Sequence, residues 1–461
     1  MRALFVSEKG VDDVQTAIRV DRSLPGIRVV TEHLPWCHSA AVGIWIGSGS
    51  AEERPEEHGA AHFLEHVLFK RTATASGREL SERIDLLGGD LNAFTGREHT
   101  CYHVHVPADG LADAVDVLTD VVANGLCHPE DVEVERDVVL DELAGRADDP
   151  EDLACELSAT AVLGEDPLAR AVIGTEESVA ALDAATLSAF HRRILRSGNV
   201  VVAAAGRVDH EALVEWIADG PLPTAVGRDE SAVDAAGGAS ALYCAHTVNG
   251  VAPQVSVPGH GWATEPVVTG QDEESEQVLY ALTRRTPARD HRDRAAAQIA
   301  AAVLGGGLSS RLFQRIREDL GLAYSVYASM DQFRRTGLVS VVAGCAAGRA
   351  DELGDEIGRV VAGMAANPPT GGEVDRAIGH LTGSIRLGLD DPLSRMARIG
   401  RHLLDRDTVV PVSESMTRLL AVTREDVVGY WNGESSPWCL AAVGPGMPHS
   451  GAAGLIAGLC R

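Results

Sequence analysis

The chain has 461 residues, 45% hydrophobic and 23% charged, an ordinary globular composition that is too long for one core and predicts two or three domains. Its formal net charge of −27 argues against nucleic acid and anionic membrane as partners. The charge suits basic peptides, although most acidic surfaces serve only solubility.

In chain order, Met1–Lys9 reaches charged residues too early for a secretory segment, and no apolar run of eighteen residues follows. Both features predict a cytosolic protein. Residues 27–32 and 39–46 read as strands from their β-branched content and turn-rich flanks. Residues 57–70 carry Ala, Leu and Phe without proline and read as a helix. A strand at 101–106 is closed by Pro107, and helices follow over about 109–124 and from Pro129 to about Ala147. Residues 199–205 form a short apolar strand. Residues 218–272 are rich in Gly, Pro, Ser, Thr and acids, so they read as a linker with one short strand at 241–245. A second structured half opens with a strand near Glu276 and an alanine-rich helix over 293–304, which Gly305-Gly-Gly breaks. The eight cysteines form no C-x-x-C pair, which leaves buried, inert thiols as the expectation.

The two halves look faintly alike. Laying His62 on Gln298 puts Glu65 on Ala301 and His66 on Ala302, which confines any metal chemistry to the first half.

His62-Phe-Leu-Glu-His66 is the sharpest feature. Residues four apart on a helix lie on one face, so the two imidazoles can share one Zn²⁺, with Glu65 beside them. Hydrolysis at zinc needs an open position for water and a carboxylate to take its proton, and Glu65 fits that role. The plain alternative is a pair of solvated surface histidines. The helix from Pro129 adds Glu135 and Glu142, seven apart on one face, behind an apolar stripe of Val132, Val139 and Leu143. One acid can reach the metal while the other fixes a histidine from behind. A solvated acidic face is the alternative there. His103 and His105, alternating on a strand, read as packed or exposed rather than ligating. Ser309-Ser310 has no base motif beside it, and Gly305-Gly-Gly lacks a Walker-type continuation.

The segment Gly59–Thr72 resembles the signature of the pitrilysin family of zinc metallopeptidases, in the branch of mitochondrial processing peptidase β-subunits and their bacterial relatives. Seventy-five residues separate His66 from Glu142, the family's spacing to its third ligand. The resemblance implies zinc on His62, His66 and Glu142, with Glu65 as catalytic base and Glu135 supporting the site. Gly88–Tyr102 is similar to the family's substrate strand, with Asn92 and Ala93 on its substrate-contacting positions, where an extended peptide binds by β-augmentation. Gly305–Tyr324 resembles the second signature and implies that Arg317 and Tyr324 reach the peptide at the zinc site. The implied fold is α+β: two similar α/β domains with mainly antiparallel sheets packed by helices, facing each other across a cavity. The expected divisions are a zinc-bearing domain over 1–217, a linker over 218–272 and a second domain over 273–461. A zinc endopeptidase acting on unfolded peptides or a precursor peptide follows, as a homodimer or else a heterodimer. The rival reading is a non-catalytic scaffold or partner subunit.

Overall fold

The computed structural model describes residues 18–147, 149–227, 261–272, 275–433 and 436–446. The strand expected at 241–245 lies outside them.

Two mixed sheets carry the fold. The first contains β1 (Ile18–Asp21), β2 (Ile27–His33), β3 (Ser39–Ile46), β4 (Asp90–Thr95), β5 (Thr100–Pro107) and β6 (Val200–Gly206), in the order β1-β2-β6-β3-β5-β4. The second contains β7 (Val268–Gln271), β8 (Gln277–Thr286), β9 (Val326–Gln332), β10 (Gly337–Ala346) and β11 (Cys439–Val443), in the order β7-β11-β8-β10-β9. Each sheet has one parallel pair, β2 with β6 and β7 with β11, and is otherwise antiparallel. Without β1 the two orders match strand for strand, so the faint internal likeness is a repeat of topology. Helix Ala60–Val67 follows β3, and helix Arg294–Gly305 holds the corresponding place after β8.

The ends of the stretch read as linker are structured. Leu222 and Val226 are buried in the first core, and β7 pairs with β11 at the edge of the second sheet.

β3 and β6 are apolar on both faces, as strands covered on both sides must be. One face packs on the half's own helices. The other is covered by a helix from the opposite half. Helix Pro392–Arg406 lays Met396, Ile399 and Leu403 on Trp45, Val201 and Ala203. Helix Pro150–Leu163 reciprocates, placing Ala154 on Ala281 and Val342 and Val162 on Leu338. Both helices open the same way, with an aspartate cap before a first-turn proline. Asp149 accepts from the backbone N–H of Glu151 and Asp152, and Asp391 from those of Leu393 and Ser394.

Ion pairs reinforce this exchange. Acids of the first half meet arginines of the second: Glu32 with Arg395 at 2.6 Å, Asp166 with Arg335 at 2.7 Å and Glu98 with Arg289 at 2.8 Å. No described helix is long and apolar enough to cross a membrane.

Candidate metal centre

Helix Ala60–Val67 turns Ala60, Ala61, Phe63, Leu64 and Val67 into the core, which leaves His62, Glu65 and His66 on the remaining face. Its entry is tight. Gly59 has φ +91°, and a Cβ there would stand 2.9 Å from the carbonyl oxygen of Ile173, so the position demands glycine.

Glu53 holds the start of this helix. Its buried carboxylate accepts from the backbone N–H of Gly59 at 3.0 Å and of Ala61 at 2.8 Å, satisfying donors that a helix N-terminus leaves free. Burial pushes its pKa up to about 8 against those two hydrogen bonds. Replacing Glu53 with Ala is expected to weaken zinc binding roughly tenfold and to lower the thermal midpoint. Glu53→Gln, with one accepting oxygen, falls between. Zinc titration of the three proteins checks this ordering, and an unchanged affinity in Glu53→Ala would refute the anchoring role.

Helix Pro129–Ala147 buries Val132 and Val139 against the His62 helix and brings two acids to it. Glu142 Oε1 lies 3.5 Å from His62 Nε2, and its Oε2 lies 3.3 Å from His66 Nε2. A tetrahedral site with bonds of about 2.1 Å has ligand-to-ligand edges of about 3.4 Å, so these separations fit one zinc ion. His62, His66 and Glu142 are the group able to hold a metal among the described residues, with one ligand atom of each lying within 4.8 Å of the others. Burial pushes the His62 imidazole down to about 4, which favours the neutral, ligating form.

Glu135, 3% exposed, stands behind His66, with Oε2 3.4 Å from Nδ1. Its other oxygen accepts from Lys70 Nζ at 2.6 Å. A carboxylate behind a ligating imidazole fixes its tautomer and orientation. Glu65 faces the same space from between the histidines. The Thr95 hydroxyl, at the end of β4, donates to Glu65 Oε2 at 2.6 Å. Burial pushes the Glu65 carboxyl above its ordinary range, and that hydrogen bond opposes the shift.

β4 is the edge strand of its sheet, and its outer side has no strand partner among the described residues. Asn92 is exposed there, Ala93 is buried, and the Ala93 N–H donates to Asn92 Oδ1 at 2.8 Å. An extended peptide can take over such a donor.

Arg317 and Tyr324 form a pair of their own on the second half. The guanidinium carbon lies 4.8 Å from the Tyr324 ring centre and 4.9 Å from that of Phe313, and Tyr324 is 86% exposed. Arg317 sits on a π-helical turn, Phe313–Asp319, a form common at functional sites. None of the described contacts joins this pair to the histidines. Arg311, just before the turn, is fixed by Glu373 at 2.6 Å. The Arg311 hydrogen bond holds Glu373 down at about 2. A carboxylate whose folded pKa lies below its unfolded value stabilises fully above the unfolded pKa of 4.5, and the gain is lost as pH falls towards 2. Arg311→Ala therefore costs more stability at pH 7 than at pH 3. Urea unfolding at both values checks this, and an equal loss contradicts the pairing.

The weaker histidine candidates have other occupations. His58 Nε2 meets the carbonyl of Ala171 at 3.1 Å, His105 Nε2 meets Ser39 Oγ at 3.0 Å, and His99 packs against Trp45. His103 is buried beside Phe94. Glu53, Lys70 and Thr95 are not singled out by any motif. Glu53 sits among Glu52, Glu56 and Glu57, and only its position before the helix hints at a cap.

Residues 28–176 match the family model for insulinase, peptidase family M16, and residues 181–381 match that of the peptidase M16 inactive domain. A Mycobacterium tuberculosis protein named an uncharacterized zinc protease is 42% identical over 407 residues, 88% of each chain. One of the same description from Streptomyces coelicolor is 38% identical over 431 residues, 92% of this chain and 88% of that one. Another from Bacillus subtilis is 31% identical over 404 residues, 88% of this chain and 92% of that one. Among solved structures, the peptidase M16 inactive domain from Pseudomonas fluorescens superposes with a TM-score of 0.80 at 19% identity, covering 93% of this chain and 98% of its own. A protease from Helicobacter pylori superposes with a TM-score of 0.78 at 18% identity, covering 93% and 100%. These two carry the fold alone. With such relatives aligned over nearly their whole length, the chain belongs to the insulinase family of peptidases, M16.

Proposed function

We propose that the chain is a zinc-dependent endopeptidase that cuts unfolded peptides, or a precursor peptide, held along β4. The observation that carries this is the convergence of His62, His66 and Glu142 at spacings that suit a zinc tetrahedron, with Glu65 beside them. Relatives named zinc proteases support it.

In this reading His62, His66 and Glu142 hold the ion, and Glu135 keeps the His66 ring in place. Bound zinc supplies a Lewis acid that polarises the scissile carbonyl and acidifies water. Glu65 takes the proton of the attacking water and returns it to the departing amine. Thr95 keeps the Glu65 carboxylate turned towards that water. The β4 edge at Asn92 and Ala93 binds the peptide backbone, so recognition rests on extended conformation more than on any one side chain. Arg317 holds a substrate carbonyl, and the exposed Tyr324 hydroxyl donates to the oxygen where negative charge develops.

The proposed division is a zinc-bearing domain over 1–217 and a second domain over 273–461, joined by 218–272, of which Leu222–Val226 packs on the first domain and Val268–Gln271 adds a strand to the second. Because one chain carries both the zinc residues and the Arg317–Tyr324 pair, a self-sufficient cytosolic homodimer goes with this reading. The test uses purified protein and a mixed pool of quenched peptides. Cleavage is lost on chelation and returns as about one zinc per chain is restored. Protein that holds zinc yet cuts nothing would favour the scaffold or partner-subunit reading.

A further inference from the structure

A guanidinium stays charged at any working pH and carries five donors, so burying one without acceptors is costly. Arg97, half-buried, is partly in that position. Its Nε is buried with no hydrogen-bond partner among the described residues. Burial is the main cause pushing its pKa down. Its guanidinium carbon lies 5.9 Å from the centre of the Phe333 ring. At the same seam Arg334 donates to the Glu98 carbonyl and Arg335 to Asp166, while Arg289 and Arg398, whose Nε atoms are also buried without a hydrogen-bond partner, each pair with an acid.

The Arg97 side chain lines a cavity of about 190 Å³ between the halves, with Arg146, Cys155 and Glu156 from the first and Ser329 and Asp331 from the second. A space of that size holds roughly a dozen waters, or one amino-acid side chain. Its lining carries two arginines and two acids, and they differ in how they are paired. Arg146 lies 3.5 Å from Asp152 and 3.7 Å from Glu156, so it is already answered. Asp331 and Glu156 both act on Arg97 through space, yet no ion pair joins either of them to it among the described residues. Arg97 is the cation of this lining that makes no ion pair.

The cavity adjoins the metal centre along two elements. Arg97 is two residues past Thr95, whose hydroxyl holds Glu65. Arg146 is one turn past Glu142 on the same helix. A peptide added to β4 is carried past Glu65 towards Arg97. At about 3.3 Å per extended residue, the two meet within roughly three residues of the scissile bond.

We propose that this cavity is a specificity subsite in which Arg97 takes a carboxylate of the bound peptide, either an acidic side chain near the scissile bond or the peptide's own C-terminus. This rests on the peptidase reading above, because the peptide on β4 delivers the carboxylate. The guanidinium fork matches a carboxylate in two parallel hydrogen bonds. The preference is local: the overall charge of −27 repels acidic peptides at long range, so the selection acts after docking.

The test is binding to the zinc-loaded Glu65→Gln chain, read by fluorescence polarisation. Labelled peptides come in matched sets, with Glu or Gln at each position in turn and with a free or an amidated C-terminus. The expected result is one position, or the free C-terminus, at which the acid binds about tenfold or more tightly than its neutral counterpart. Adding Arg97→Gln takes that ratio to about one, and Arg97→Lys keeps part of it. The matched sets show which source supplies the carboxylate. Removing an unpaired buried charge leaves the thermal midpoint of Arg97→Gln equal or higher, whereas a fall of several degrees would assign Arg97 to structure. Binding with no acid preference, or a preference that survives Arg97→Gln, overturns the subsite alone. If no peptide binds at all, the peptidase reading falls with it.

Discussion

Glu65→Gln keeps its zinc and loses roughly 10²–10⁴-fold in peptide hydrolysis. Two separate facts lead there. Glu65 is not one of the three groups whose ligand atoms converge, so the amide leaves the ion's holders intact. The amide can still accept from the Thr95 hydroxyl, which lies at 2.6 Å, so the side chain keeps its place. What it loses is the ability to take a proton. The check is zinc content and kcat on one preparation. His66→Ala, by contrast, loses metal and activity together. A Glu65→Gln protein that kept a tenth or more of the activity would move the base to another residue.

Arg289→Ala produces the largest expected loss of stability, about 3–5 kcal/mol. Arg289 is 4% exposed and lies between two buried acids, Glu98 at 2.8 Å and Asp405 at 2.5 Å, with side chains 7% and 2% exposed. Truncating it leaves two buried acids with only their longer contacts, Glu98 to Arg334 at 3.9 Å and Asp405 to Arg401 at 3.6 Å. Glu98 also accepts from the backbone N–H of Arg334, so this acid ties the turn after β4 to the second half. Loosening the tie shifts the second half relative to Glu65, and kcat/KM falls along with the unfolding midpoint. Thermal unfolding of Arg289→Ala measures the first effect. A triple variant with Arg289→Met, Glu98→Gln and Asp405→Asn should recover most of the loss, since no buried charge then remains. If the triple variant is no better than Arg289→Ala, packing rather than charge is at stake.

The convergence of His62, His66 and Glu142 was legible in two steps, the faces from local spacing and the pairing of the two helices only from the family resemblance. Four-residue spacing places His62 and His66 on one face, seven-residue spacing does the same for Glu135 and Glu142, and the stripe of Val132 and Val139 tells which way the second helix faces. The strands at β3, β5 and β6 were likewise legible from local β-branched runs. The exchange of helices between halves was not, because Ala154 on Ala281 and Met396 beside Trp45 are pairings across more than a hundred residues. A trace exists in the repeated Asp149-Pro150 and Asp391-Pro392, which says that two helices begin alike but not what they cover. β7 was read as linker because a four-residue edge strand of Val-Thr-Gly-Gln has no period to detect. Glu98 is buried by partners far along the chain, Arg289 and Arg334, whereas Glu53 is buried by the nearby helix start that it caps, a role its residue type does not announce.

The central claim is that zinc sits on His62, His66 and Glu142. Anomalous diffraction at the zinc edge, from crystals of protein purified without added metal, tests it most directly. The account predicts one strong peak about 2.0–2.2 Å from His62 Nε2, His66 Nε2 and a Glu142 oxygen. A peak elsewhere, or none there after zinc is supplied, would contradict it.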